Sequence, residues 1–243
     1  MDRPPVSLPP GRRFSMPVLP GSPPVEVTLR RSAQARRFSL RVSRLDGRVT
    51  LTVPARAREA EALAFARDQE GWIRRALLDV PRTASVGLDT LLPVEGRQLL
   101  VRPGSGRSVR IEDDSLLVPG DPALVPVRLA AFLKALARER LAAACDHHAR
   151  TLGRSYARLT LRDTRSRWGS CTHDGCLMFS WRLILAPPPV LDYVAAHEVA
   201  HLAQMNHSPA FWAEVSRLMP DYAPHRLWLR RHGQALHGFR FGD

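Results

Sequence analysis

The run His197-Glu198-Val199-Ala200-His201 constrains this chain more than any other stretch. On an α-helix, residues four apart differ by roughly 40° in azimuth and lie one turn apart, so the two imidazoles share a face and one metal ion can bridge them. Glu198 projects roughly 100° from His197, near enough to reach a water on such an ion and poorly placed to join its coordination. It is the general-base candidate. The flanking residues Val190-Leu191, Val194-Ala195-Ala196, Val199-Ala200 and Leu202-Ala203 form an apolar segment without Gly or Pro, as a buried helix requires. That segment weighs against two histidines being four apart by accident.

A catalytic zinc takes three protein ligands and leaves its fourth position to water. His207 is the best third candidate, provided the helix stops first. In an unbroken helix it would sit roughly 120° from His201 and about 9 Å further along the axis, out of reach. Ser208-Pro209 supplies the break, because the residue before proline is pushed out of the α region, Ser suits an N-cap and Pro the first helical position. A new helix is expected from Pro209 to about Met219. The alternative is that His207 merely helps to cap that helix, with His225, His232, His237, Glu214 and Asp221 as fallback ligands.

Three further groups extend the pattern: Arg167-Trp168-Gly169-Ser170-Cys171, then Trp181-Arg182-Leu183-Ile184-Leu185-Ala186-Pro187, then Asn206-His207-Ser208 with Phe211-Trp212 and Trp228-Leu229-Arg230-Arg231-His232-Gly233. With Tyr193-Val194 and the histidine pair, they resemble the bacterial YgjP-like metallopeptidases, also described as SprT-like or zinc-dependent metal hydrolases. The likeness is strong over the C-terminal half and looser before it. The resemblance implies one zinc per chain held by His197, His201 and His207, with Glu198 catalytic. It also implies a zincin-like metallopeptidase domain, a small sheet over the H-E-x-x-H helix. The spacing from His201 to His207 is also similar to that of proteases acting on protein crosslinked to DNA.

The formal net charge is +13, and Lys134 is the only lysine, so nearly all of the positive charge is arginine. Arginine forks carboxylates and phosphates, which suits an acidic peptide or nucleic acid, although a GC-rich genome gives the same bias. Cys145, Cys171 and Cys176 do not make a disulfide framework, and no secretory signal or long apolar run opens the chain. A cytoplasmic protein without a membrane segment is expected. Cys171 and Cys176 flank Asp174-Gly175, a hairpin signal.

Residues 1–25 are rich in Pro and Gly and read as a disordered leader. Residues 26–120 read as a small basic α+β domain. Its strands are marked by Val25, Val27 and Leu29, by Phe38, Leu40 and Val42, and by Val49, Leu51 and Val53, with a hairpin signal at Asp46-Gly47. A helical stretch follows from Ala55 to Leu78, divided at Gly71. Two more strands are expected, Gln98 to Arg102 and Val109 to Val118. Pro119-Gly120-Asp121-Pro122 marks the boundary to residues 121–243, the zincin-like catalytic domain. There Val125 to Leu152 reads as one long amphipathic helix ending at Gly153, with His147 and His148 in capping or surface roles near its end. Leu159 to Asp163 begins a strand. Leu177 to Leu185 alternates as another, with Ser180 and Arg182 facing the other way; element order and the family resemblance imply that it lies along the cleft.

The fold class is therefore α+β, and the expected activity is zinc-dependent hydrolysis of peptide bonds, zinc activating a water and Glu198 taking its proton. Protein or peptide is the expected substrate. Two rival readings keep the metal: a nucleoside triphosphate pyrophosphohydrolase, suggested by Arg162, Arg165, Arg167 and Arg182 but lacking a Gly-rich phosphate loop, and a DNA-associated protease acting on nucleic-acid-bound proteins. A purely structural metal would leave Glu198 without a task.

Overall fold

Alternation of Val25, Val27 and Leu29 with polar residues buries one face of an eight-residue strand, and the first sheet grows from it. The computed structural model describes residues 18–21, 23–43, 47–78 and 84–242. The chain divides into two compact units, residues 1–81 and 82–243. In the first, β1 (Val18–Leu19), β2 (Val25–Ser32), β3 (Ser39–Val42) and β4 (Val49–Pro54) lie in the order β1-β2-β4-β3. Only β2 and β4 run parallel. Helices α1 (Glu59–Asp68) and α2 (Glu70–Leu78) contribute Ala62, Ala66 and Ile73 to a core with Val27, Leu29, Leu51 and Val53.

The helical stretch breaks at Gln69, not at Gly71 as expected. Gln69 leaves the α region at φ −95°, ψ 8°, whereas Gly71 lies inside α2. Most of the leader, residues 1–17 and 22, lies outside the described residues. Its end is ordered, however: Leu19 pairs with Val25 and is 2% exposed. Arg74 fastens it by donating to the carbonyls of Pro20 and Pro23 at 3.2 and 2.9 Å while its Nε donates to Glu70.

The second unit opens with β5 (Ala84–Ser85), then β6 (Leu91–Val94), β7 (Arg97–Gly104), β8 (Arg110–Glu112) and β9 (Ser115–Pro119). The last four make a sheet in the order β6-β7-β9-β8, again with only its middle pair parallel. This repeats the connectivity of the first sheet, and both fourth strands end in Val-Pro, at Pro54 and Pro119. The single strand expected from Val109 to Val118 is thus a hairpin, turned at Asp113 in the left-handed region (φ 50°) that a short polar side chain tolerates. The boundary expected at Pro119-Pro122 falls inside this unit, because Leu92, Val94, Leu99, Val101, Leu116 and Val118 share one core with the helices that follow.

Helix α3 (Val125–Leu152) runs as expected, closed by Gly153 at φ 72°. Its Leu129, Leu133, Ala137, Leu141 and Cys145 are fully buried. Next come β10 (Arg158–Arg162), β11 (Gly169–Cys171) and β12 (Cys176–Ser180), ordered β10-β12-β11. The strand expected to reach Leu185 stops at Ser180 and continues as a 3-10 turn, Trp181–Leu185, buried throughout. Arg182 does not face solvent: it donates to both Asp163 oxygens at 2.7 and 3.1 Å and to the carbonyls of Leu236 and Phe239. Then follow α4 (Pro188–Ala200), α5 (Pro209–Leu218), α6 (Tyr222–His232) and β13 (Phe239–Arg240), which pairs with β5. Among the described residues no helix is long and apolar enough to cross a membrane.

Candidate metal centre

Helix α4 starts at Pro188-Pro189, where missing N–H groups cost nothing, and buries most of its surface through Val190, Leu191, Val194, Ala195, Ala196, Val199 and Ala200. One polar contact orients it on α3. His148, buried and not in the surface role expected of it, lies with Nε2 2.8 Å from Asp192 Oδ1.

The helix ends where the third histidine needs it to. His201 is the C-cap, and the N–H groups of Ala203 and Gln204 both donate to Ala200 O, closing a turn. Ser208 caps α5, its Oγ accepting from Phe211 N at 3.4 Å, with Pro209 at the first helical position. Between these two signals His207 folds back, so that its Nε2 lies 3.1 Å from His197 Nε2. One ring nitrogen from each of His197, His201 and His207 falls within 4.8 Å of the others. Beneath them lies Phe211, fully buried, with ring centres 4.9, 4.4 and 4.8 Å from those of the three imidazoles.

This cluster suits a cation. Tetrahedral zinc with Zn–N near 2.0–2.1 Å separates its ligand nitrogens by about 3.3 Å, close to the spacing seen between His197 and His207. His201 Nδ1 faces Gln204 O at 3.0 Å; donating there leaves Nε2 as a lone pair. Burial pushes His197 down to about 3, helped by the other two rings, and burial also lowers His201. Neutral imidazoles are the ligating form.

Glu198 is 6% exposed, and burial pushes its carboxyl up to about 8, against a small opposing pull from Arg167. Its wall is the backbone of β11. A Cβ placed on Gly169 would lie 2.5 Å from Glu198 Cγ and 2.6 Å from Oε1, so any side chain there would force the Glu198 carboxyl to move. The other candidates lie elsewhere: Glu214 pairs with Arg217 at 2.8 Å, Asp221 with His225 at 3.5 Å, His232 packs on Trp228, and His237 stacks on Trp168. Tyr222 comes nearer, stacked on Tyr193 and Trp212, which themselves touch His197.

Sequence reasoning overlooked the roles of Phe211 and Gly169. The first was available in outline, since the first turn of a helix that starts directly after His207 must face the histidines. Gly169 carries no such signal, because its neighbour Glu198 is 29 positions away and the meeting depends on the β11 fold.

Three clustered imidazoles, with a buried carboxyl next in sequence to the first of them, are a donor set that suits a metal-dependent hydrolase. The sequence pattern of the YgjP-like metallopeptidase domain matches residues 36–232, and the chain belongs to that family. Family membership implies a divalent metal and a protein or peptide substrate. Among solved structures, the metallopeptidase zymogen of Pyrococcus abyssi abylysin is similar over 39% of this chain and 93% of its own, at 19% identity and a TM-score of 0.35. No curated protein matches the sequence.

Proposed function

We propose that the chain is a zinc-dependent peptidase with a zincin-like catalytic domain, holding one zinc through His197, His201 and His207 and using Glu198 as general base. The observation that carries this reading is the clustering of the three imidazoles, with Glu198 next to His197 on α4. A bound zinc ion supplies Lewis acidity, which acidifies water and polarises a scissile carbonyl. The chain supplies the rest. Phe211 and the Gln204 carbonyl fix the imidazole planes. Glu198, buried between α4 and the Gly169 backbone, takes a proton from the attacking water and returns it to the leaving amine.

Substrate can enter beside β11. In the order β10-β12-β11 that strand is an edge among the described residues, and an edge strand can offer its outer N–H and C=O groups to an extended peptide. This moves the cleft strand from the one expected at Leu177–Leu185, now the sheet's centre, to Gly169–Cys171.

Metal content and peptide cleavage test the reading together. Glu198→Gln should retain about one zinc per chain and lose roughly two to four orders of magnitude of cleavage of unfolded protein. His207→Ala should lose both. Cleavage undiminished in Glu198→Gln, or triphosphate hydrolysis as the only activity lost, would replace this reading.

A further inference from the structure

On one side of the imidazole cluster stands a positive charge that has no ion-pair partner among the described residues. Arg226, on α6, holds its guanidinium carbon 4.3 Å from the centre of the Trp212 ring. Trp212 in turn lies with its ring centre 5.7 Å from that of His197 and 6.0 Å from that of His207. The guanidinium is therefore at most about 10 Å from the His197 ring, roughly three residues of extended chain. Acids of the helices around the cluster are engaged elsewhere: Glu214 with Arg217, Asp221 with His225 and Asp192 with His148. Among the described residues Arg226 forms no ion pair, unlike Arg97, Arg110, Arg140, Arg182 and Arg217.

An arginine laid over an aromatic face is held in position, and its edge N–H groups stay free to form a two-pronged bond to a carboxylate. Trp212 is itself held by stacking on Tyr222, one turn before Arg226 on the same helix. We propose that Arg226 is the specificity-determining residue of the peptidase site and reads a carboxylate of the substrate within about three residues of the scissile bond. The proposal rests on the peptidase reading above. Two sources supply that chemistry, an acidic side chain or a free C-terminus. Lysine would serve poorly here, since it lacks the fork.

The test uses the full-length, zinc-loaded protein and one peptide in four forms, Glu or Gln near the cleaved bond, each with a free or amidated C-terminus. Wild type should cleave a carboxylate-bearing form with kcat/KM about 10- to 100-fold above its neutral counterpart, the difference residing in KM. Which pair differs tells side chain from C-terminus. Arg226→Met, which keeps an apolar chain over Trp212, should erase that preference while cleaving the neutral form at the wild-type rate, and Arg226→Lys should restore part of it. Calorimetric binding of the same peptides to Glu198→Gln, with and without Arg226→Met, should show the same ratio without turnover. Equal cleavage of all four forms by wild type overturns the proposal and leaves the peptidase reading standing. So does an equal fall on all four in Arg226→Met, which marks a structural role. If zinc-loaded wild type cleaves none of them or any unfolded protein, the peptidase reading fails and takes the proposal with it.

Discussion

Gly169 shows how far a single residue can matter without carrying any chemistry. The absent side chain is the space in which the Glu198 carboxyl sits, and a methyl group there would overlap it. Gly169→Ala should therefore displace the carboxyl while leaving the three imidazoles, which lie on other elements, undisturbed. Peptide cleavage is expected to fall about 10- to 100-fold, the scale of a misplaced catalytic group, with zinc content unchanged. Steady-state kinetics and metal analysis on the same preparation check this. Full activity in Gly169→Ala would mean that Glu198 has another resting place. The histidine triad was legible because its members lie within eleven residues of each other, where helix geometry and a proline-marked break suffice. Gly169 was not, because it meets Glu198 through long-range packing that periodicity does not encode.

Elements divided along similar lines. Helix α3 and the start of α5 were readable because Gly153 and Ser208-Pro209 punctuate them locally. The turn Trp181–Leu185 was not. Its alternating sequence fits a strand, yet Arg182 is drawn inward by Asp163 and two tail carbonyls, and tertiary contacts override the period. Burial pushes the Asp163 carboxyl up, but the Arg182 guanidinium overcomes this and holds it below its usual range. Beside this pair His237 is pushed down to about 4, by burial first and then by Arg182 and Arg165, against the pull of Asp163. A histidine with a lowered folded-state pKa contributes its full stability above about 6.5 and loses it as pH falls toward 4. Melting temperatures of wild type and His237→Phe, which keeps a ring against Trp168, should therefore converge or cross in favour of the variant between pH 6.5 and pH 4. A constant difference across that window would show that His237 takes up its proton at the same pH in the folded and the unfolded chain, and that burial does not hold it neutral.

At the scale of the whole molecule, the sequence hid a division because two neighbouring stretches build the same kind of sheet. Two sheets share one connectivity, and both looked like parts of a single N-terminal domain ending at the Pro-Gly cluster after β9. The structure gives the second sheet to the unit that carries the histidines, and the contacts say why. The turn between β6 and β7 seats itself on the segment leading into α4: Glu95 N donates to Ile184 O at 2.8 Å, and a Cβ on Gly96 would lie 3.2 Å from Pro187 Cα. The Glu95 side chain also accepts from Arg140 on α3 at 2.6 Å, linking both helices beneath the cluster to that one turn. Cutting at residue 121 would strip Leu92, Val94, Leu99, Val101, Leu116 and Val118 from a continuous core, and each buried aliphatic side chain is worth about 1.5–3 kcal/mol. Against a total of about 5–15 kcal/mol for a domain, that loss is decisive. A fragment of residues 82–243 should consequently fold cooperatively and bind about one zinc, whereas residues 121–243 should yield little folded protein and no stoichiometric zinc. Circular dichroism melts with metal analysis of both fragments decide the matter, and equal melting and equal zinc in the shorter one would return the boundary to the Pro-Gly cluster.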